Sequence, residues 1–188
     1  MSDLRQLAAN ARQSLISGQL ELAVAWRGKR NCPAMLGGRA ALVDKVLQEV
    51  WHALAMPTGC ALAAVGGYGR GQLYPSSDVD LLILIPDEQH ATRDSAAAAQ
   101  LEQLVGLLWD IGLDIGHSVR SIDQCLDEAE RDITVKTALL EARWLAGSRA
   151  LYDEFEQSCN AALEPAAFLT AKHLEQAERY AKFHDTPY

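Results

Sequence analysis

The chain has 188 residues and a mass of 20.5 kDa, with 17 basic and 25 acidic side chains and a formal net charge of −8 at pH 7. This length is ample for one domain with a sizeable core, and the negative charge argues against nonspecific binding to a nucleic-acid backbone. No apolar run approaches the roughly 18 residues of a membrane span, and residues 1–12 lack the apolar core of a signal peptide. We therefore predict a cytoplasmic protein without a nucleic-acid or membrane partner.

The N-terminal third is predicted to be helical. Apolar spacing indicates a helix over 4–16, which Gly18 interrupts, and a shorter helix over 19–26. Glycines and a proline predict a loop over 28–38, and an amphipathic helix follows over 39–56.

The middle of the chain alternates strands and helices. Apolar runs predict strands over 60–65 and 79–85, a polar connection over 87–94, a helix over 95–111 and a third strand over 113–119 with Asp114 at its start. Beyond residue 120 the pattern is helical, with predicted helices over 121–130, 133–146, 148–162 and 165–183. By spacing, Trp51 and Trp109 are predicted to belong to the core.

The four cysteines are widely separated and form no Cys-x-x-Cys pair; they are Cys32, Cys60, Cys125 and Cys159. This pattern is typical of reduced thiols in a cytosolic protein, and neither a zinc site nor a disulfide framework is expected.

Two aspartates open the second predicted strand. Asp78 and Asp80 are two positions apart, and side chains at that spacing in a strand project from the same face. Adjacent carboxylates repel each other unless a cation offsets their charge, and Mg²⁺ prefers oxygen ligands. The alternative is that Asp78 caps the loop and Asp80 is a solvated residue at the strand edge. That alternative explains poorly why two acids directly precede an apolar run.

The first strand leads into a glycine-rich turn. Gly66 and Gly67 lack Cβ atoms, so that backbone N–H groups can approach a phosphate closely. The turn fits neither common phosphate motif. Gln72 replaces the lysine of a Walker loop, and it also stands where the dinucleotide-binding pattern requires its third glycine.

These residues together resemble a known family. The run Gly-Gly-Tyr-Gly-Arg-Gly at 66–71, followed by Asp-Val-Asp-Leu-Leu at 78–82, is similar to the signature of the DNA polymerase β-type nucleotidyltransferase superfamily. Within it, the chain resembles the N-terminal nucleotidyltransferase domain of the PII-protein uridylyltransferases of bacterial nitrogen control. The stretches 108–120 and 137–143 strengthen this resemblance, which is strong over about 42–151.

The resemblance implies a fold and a division of the chain. It implies an α+β fold, a small mixed β-sheet flanked by helices, followed by a C-terminal helical region. We expect N-terminal helices over 1–58 that pack on a nucleotidyltransferase core over 59–130, with helices over 131–188. In the family an HD hydrolase domain and paired ACT domains follow, and neither has a counterpart here; we expect a fragment of a longer enzyme.

The resemblance also implies a reaction and a site. Two Mg²⁺ ions, UTP and a tyrosine hydroxyl of the PII protein would come together, and uridylyl transfer would release pyrophosphate. Asp78, Asp80 and Asp114 would be the catalytic metal ligands. The residues expected to contact nucleotide or phosphate are Gly66, Gly67, Arg70, Ser76 and Ser77.

Several roles stay open at the level of sequence. Arg70 either neutralises triphosphate charge or is a solvated loop arginine, and Ser76 and Ser77 either donate to phosphate or only form a turn. His117 is either a structural residue or part of the site. The alternatives for the whole chain are a nucleotidyltransferase with another acceptor and a noncatalytic nucleotide-binding module.

Overall fold

In a computed structural model, residues 2–87 and 95–182 are described, and they form eight helices and four strands. The helices are α1 Ser2–Lys29, α2 Cys32–Ala53, α3 Gly66–Gly69, α4 Ser95–Ile111, α5 Ile122–Arg131, α6 Ile133–Leu140, α7 Arg149–Ala161 and α8 Pro165–Lys182. The strands are β1 Ala61–Ala64, β2 Val79–Leu84, β3 Ile115–Arg120 and β4 Arg143–Gly147. The predicted connection over 87–94 lies outside the described residues beyond Asp87, as does the predicted helix end at residue 183.

The four strands form one mixed sheet in the order β3-β2-β1-β4. Strand β1 pairs antiparallel with β2 and with β4, whereas β2 and β3 run parallel. The start of β2 therefore lies beside both the end of β1 and the start of β3. This arrangement confirms the predicted α+β class with a small mixed sheet.

Helices cover both faces of the sheet because the side chains of the central strands alternate. One face presents Leu62, Leu81 and Ile83 to a core that contains residues of α1, α2 and α4. The other presents Ala63, Leu82 and Leu84 to α5, α6 and α7. Asp80 belongs by alternation to this second face, at the end of the strand where apolar packing stops. None of the helices in the described part of the chain is both long and apolar enough to cross a membrane.

The N-terminal prediction of two helices and a long loop is wrong. Helix α1 passes through Gly18 without a break, since Gly18 packs closely on Leu42 of α2, where a Cβ would lie 2.6 Å from a leucine methyl. Residues 30 and 31 alone separate α1 from α2. Asn31 caps α2 by accepting a hydrogen bond from the amide of Ala34 at 3.1 Å, and Pro33 occupies the first turn, where its missing N–H is tolerated.

The predicted helix over 133–146 is also wrong in its second half. Helix α6 ends at Leu140, and residues 143–147 form the edge strand β4 on β1. Gly147 ends this strand with a φ of 81°, and a Cβ there would overlap the carbonyl oxygen of Cys60. Pairing with β1, which is distant along the chain, therefore makes residues 143–147 a strand and not a helix.

The predicted helix over 95–111 is confirmed with the same bounds. The two tryptophans differ: Trp51 is 4% exposed in the core, but Trp109 is 62% exposed, so its predicted core position is wrong.

Candidate active site

The site is built around the carboxyl group of Asp80, which lies among glycines. Asp80 pairs in register with Gly116 of β3, and a Cβ on Gly116 would lie 2.5 Å from Oδ1 of Asp80. A Cβ on Gly66 would lie 3.7 Å from Oδ2 of the same carboxylate. The carboxyl group of Asp80 therefore occupies room that exists because the neighbouring position on β3 has no side chain.

Burial and a like charge act together on Asp80. Partial burial of the carboxyl group raises the pKa of Asp80 above its ordinary value, and the negative charge of Asp78 raises it further. The two carboxylates are thus close enough to repel each other. The predicted placement of both acids on one side of the strand agrees with this interaction.

Asp114 directly precedes β3, at the same end of the sheet. Its backbone carbonyl accepts a hydrogen bond from the amide of Val79 at 2.8 Å, which places it level with Asp78. Asp78, Asp80 and Asp114 are all exposed. In the described part of the chain, however, no group of three or more His, Cys, Asp or Glu side chains lies close enough to hold a metal ion.

The carboxylate pair of Asp78 and Asp80 fits a divalent cation better than it fits solvent alone. Two carboxylates that repel each other and that are both exposed to solvent offer the oxygen donors that Mg²⁺ prefers. Asp114 as a third ligand stays a prediction.

The glycine turn joins β1 to the loop before β2, and it is a short helix where the sequence predicts a turn. Residues 66–69 form the short helix α3, which begins with Gly66 at a φ of 58°, a left-handed conformation that favours glycine. Gly69 packs so tightly that a Cβ would overlap the carbonyl oxygen of Glu141. The amide of Val65 donates to the carbonyl oxygen of Asp80 at 3.1 Å, so the turn starts beside the carboxylates.

A hydrogen-bond network that the sequence reasoning missed holds this turn in place. The hydroxyl of buried Tyr68 donates to Oδ1 of Asp44 on α2 at 2.5 Å. Arg143 of β4 donates to both oxygens of Asp44, at 2.8 and 3.0 Å, and to the carbonyl oxygen of Gly69 at 3.2 Å. Burial and the hydrogen bond to Asp44 raise the pKa of Tyr68 well above its ordinary value. The turn is therefore fixed to α2 and β4.

Arg70 projects from the end of the turn and pairs with Glu141, which caps the end of α6. Its Nη1 lies 2.5 Å from Oε2 of Glu141, and the arginine side chain is 49% exposed. A Cβ on Gly67 would lie 3.6 Å from Nη2 of Arg70. Arg70 is thus a half-exposed, ion-paired residue at the glycine turn, and its contact with a triphosphate stays a prediction.

Ser76 and Ser77 lie in the exposed loop that precedes β2. The amide of Ser77 donates to the carbonyl oxygen of Tyr74 at 3.2 Å, with Pro75 second and Ser76 third in the turn. Ser76 has a φ of 66°, which is rare for a serine and matches the third position of a type II turn. Both serines therefore form a turn, and a contact of either hydroxyl with phosphate stays a prediction.

The third strand separates His117 from the carboxylates. His117 pairs with Leu81 and Gly116 pairs with Asp80, and neighbouring residues of a strand face opposite sides. The histidine therefore belongs to the face opposite Asp80.

Comparison with known proteins identifies the family of this chain. A family model described as a nucleotidyltransferase domain matches residues 45–140, just over half of the chain. This range includes the glycine turn and the three aspartates, whereas Asp44, Glu141 and Arg143 lie just outside it.

Curated relatives carry one shared description. The chain is 49% identical over 180 residues to a bifunctional uridylyltransferase/uridylyl-removing enzyme of Aromatoleum aromaticum, covering 96% of this chain and 20% of the relative. It is 49% identical over 179 residues to the protein of that name from Nitrosospira multiformis (94% and 20%), and 52% identical over 147 residues to that from Bordetella avium (78% and 17%). The chain thus spans about a fifth of the length of these relatives. With its carboxylate pair and its glycine turn inside the matched range, the chain belongs to the nucleotidyltransferase domain family.

Proposed function

We propose that this chain transfers a uridylyl group from UTP to a tyrosine hydroxyl of the PII nitrogen-regulatory protein, with Mg²⁺ as cofactor and pyrophosphate as leaving group. The observation that carries the proposal is the pair of exposed carboxylates, Asp78 and Asp80, next to the glycine turn. The name uridylyltransferase, which the relatives carry, supports the choice of nucleotide.

The residues divide into two groups by role. Asp78 and Asp80 would hold Mg²⁺ against the triphosphate, and Asp114 would complete a second metal position. The amides of Gly66 and Gly67 would donate to phosphate oxygens, with Arg70 adding positive charge and Ser76 and Ser77 as further donors. Bound Mg²⁺ would supply neutralisation of the charge that develops on the phosphate oxygens.

The reaction is a displacement at the α-phosphorus of UTP. The tyrosine oxygen forms a bond to the α-phosphorus, and the bond from that phosphorus to the bridging oxygen of the β-phosphate breaks. The electron pair leaves with pyrophosphate, and the hydroxyl proton passes to the carboxylate of Asp114. Positioning and electrostatic stabilisation supply most of the catalysis in such transfers, which suits a turn fixed on both sides by Tyr68 and Arg143.

Labelled UTP tests this proposal. The protein is incubated with Mg²⁺, UTP labelled at the α-phosphate, and PII, and the double variant Asp78→Asn/Asp80→Asn is compared with the control Asp110→Asn, which alters an exposed aspartate of α4. We expect label on PII with the wild type and the control and none with the double variant.

Other outcomes of the same assay identify the alternatives. Label on an acceptor other than PII would indicate another nucleotidyltransferase. Binding of UTP without transfer to any acceptor, in a longer chain that spans the full length of the relatives, would indicate a noncatalytic nucleotide-binding module. Either result would refute the proposed reaction.

A further inference from the structure

Two arginines reach the glycine turn, and their surroundings differ. Arg143 donates to both oxygens of Asp44 and to the carbonyl oxygens of Gly69 and Tyr68, and its guanidinium lies 5.5 Å from the centroid of the Tyr68 ring. Its side chain is 34% exposed. Four of its five N–H donors are thus used within the protein, and so many directional contacts fix this cation in place.

Arg70 has one carboxylate contact and stays half in solvent. Within the described part of the chain, the guanidinium of Arg70 makes one hydrogen bond, to Oε2 of Glu141. The Arg70 side chain is 49% exposed. Most of its five N–H donors therefore remain available, and they lie beside Gly67. Arg70 can exchange its partner, whereas Arg143 cannot.

The backbone of Glu141 is fixed at the turn, whereas its side chain is held by the ion pair with Arg70. Its amide donates to the carbonyl oxygens of Leu139 and Thr137 at the end of α6, and its own carbonyl oxygen packs against Gly69. Glu141 therefore cannot move away from the turn as a whole. Its side chain is 26% exposed, and the contact with Arg70 is the one hydrogen bond that its carboxylate makes to the described residues.

A triphosphate at this turn would meet both groups at once. Phosphate oxygens form strong, charge-assisted hydrogen bonds with a guanidinium, and they repel a carboxylate at the same place. Arg70 would gain a polyanionic partner in place of one carboxylate, and Glu141 would lose its counter-ion.

We infer that Glu141 is a positioning residue that holds Arg70 beside Gly67 in the nucleotide-free protein and competes with the triphosphate for it. This inference rests on the proposed function, because it takes the triphosphate to bind at the glycine turn. Release of the Arg70–Glu141 pair then accompanies each binding event, and Glu141 weakens the affinity for nucleotide.

A double-mutant cycle on ligand affinity tests this competition. The dissociation constants of UTP and of inorganic tripolyphosphate, each with Mg²⁺, are measured by calorimetry for the wild type, Glu141→Gln, Arg70→Gln and the double variant. Glu128→Gln is the matched control, because Glu128 pairs with Arg131 on the exposed face of α5 at 3.1 Å. Melting temperatures show whether each variant is folded, and Glu141→Ala repeats the test without the amide.

We expect Glu141→Gln to lower both dissociation constants about two- to fivefold, which is the range for an ion pair that is partly exposed. Arg70→Gln should raise both about tenfold, since it removes a charge-assisted contact with phosphate. In the Arg70→Gln background, Glu141→Gln should change them less than about 1.5-fold, and the control should leave them unchanged.

The opposite pattern overturns the inference. If Glu141 acted only by general repulsion of the ligand, Glu141→Gln would tighten binding as much or more when Arg70 is absent. An unchanged affinity in the folded Glu141 variants, or no binding of tripolyphosphate to any variant, would overturn it as well. Binding of tripolyphosphate without binding of UTP would refute the proposed function alone, and the cycle with tripolyphosphate would still decide the role of Glu141.

Discussion

At the scale of single residues, the position of the Asp80 carboxylate depends on the absence of a side chain at Gly116. In Gly116→Ala the new Cβ would lie 2.5 Å from Oδ1 of Asp80, so the carboxylate must rotate away from its present position. The displaced atom is the end of a side chain, and we therefore expect a melting temperature within about 3 °C of the wild type, together with at least about a tenfold loss of nucleotidyl transfer.

Gly106→Ala is the control for this change, because it adds the same methyl group at an exposed position of α4, with nothing within 4 Å. It should stabilise the helix by up to about 1 kcal/mol and leave transfer unchanged. Full activity of Gly116→Ala would show that the position of the Asp80 carboxylate does not matter to the reaction.

The raised pKa of Asp80 predicts a dependence of stability on pH. Burial and the charge of Asp78 disfavour the charged form of Asp80 in the folded protein. The resulting cost in unfolding free energy is therefore absent below the pKa of Asp80 in the unfolded chain and complete above its raised pKa in the folded protein. Asp80→Asn removes the penalty. Because the residue is partly in water, its gain in unfolding free energy should stay below about 1 kcal/mol, or roughly 1–3 °C.

Thermal melts of Asp80→Asn and wild type between about pH 4 and pH 8 measure this effect. The difference in melting temperature should be smallest at the acidic end, grow as the pH rises and then level off, while Asp110→Asn shows no such trend. A difference that grows toward low pH would contradict the assignment. The expected trend would show that the carboxylate proposed to bind the metal lowers the stability of the fold.

The sequence predicts the acidic half of this site but not its surroundings. The spacing of Asp78 and Asp80 predicts that they share one side, because a strand has a period of two. Gly116, Asp44 and Glu141 are distant along the chain, and only the register of β3 and the packing of α2 and α6 bring them to the turn. The segment 137–143 carries part of the family resemblance and contains Glu141 and Arg143. That resemblance was the signal in the sequence that could have pointed to these two residues.

At the scale of elements, helix α3 depends on its attachment to α2 and β4. Tyr68→Phe removes the hydrogen bond from a buried hydroxyl to Asp44, a bond of 2.5 Å to a charged acceptor. We expect a loss of about 1–2 kcal/mol in unfolding free energy, measured by urea denaturation. Hydrogen exchange at residues 66–70 should also become faster, because the turn loses one of its anchors.

Tyr180→Phe is the matched control, since the Tyr180 hydroxyl accepts an exposed hydrogen bond from Gln176 at 3.0 Å on α8. It should change the unfolding free energy by less than about 0.5 kcal/mol. Equal effects of the two substitutions would mean that the Tyr68–Asp44 contact contributes nothing specific.

Strand β4 shows why one element could not be predicted. Its sequence, Arg-Trp-Leu-Ala-Gly, includes good helix formers and continues the apolar spacing of α6. The strand forms because it pairs with β1, and that pairing is irregular between Leu62 and Ala63. The side-chain amide of Gln48 on α2 donates a hydrogen bond to the carbonyl oxygen of Leu145 at 3.0 Å. All of these contacts are long-range, whereas helix α4 is set by its own alanine-rich sequence and was predicted with the correct bounds.

At the scale of the whole molecule, the site lies where three separate segments meet. The end of β1, the start of β2 and the approach to β3 share one end of the sheet, because β1 and β2 are antiparallel and β2 and β3 are parallel. The mixed topology therefore places a glycine turn beside two carboxylates. A segment later in the chain also contributes, since β4 supplies Arg143, which donates to the carbonyl oxygen of Gly69 in the turn.

The C-terminal helices contribute unequally to this fold, and truncation separates them. Helix α8 contains no buried residue, and Leu169 and Leu174 are 56% and 62% exposed. Helix α7 buries Tyr152 and Phe155 to 3% and 1% exposure against the sheet. A chain that ends after Leu163 should melt within about 4 °C of the full chain and retain its affinity for UTP.

A chain that ends after Gly147 loses α7 and both aromatic side chains. Loss of a buried phenylalanine alone costs about 3–5 kcal/mol, which is a large part of the total stability of a domain, so this chain should not fold cooperatively. Circular dichroism melts of the two truncated chains measure the difference. A cooperative transition in the shorter chain would show that the sheet is stable without α7, and a large loss of stability in the longer one would assign α8 to the folded core.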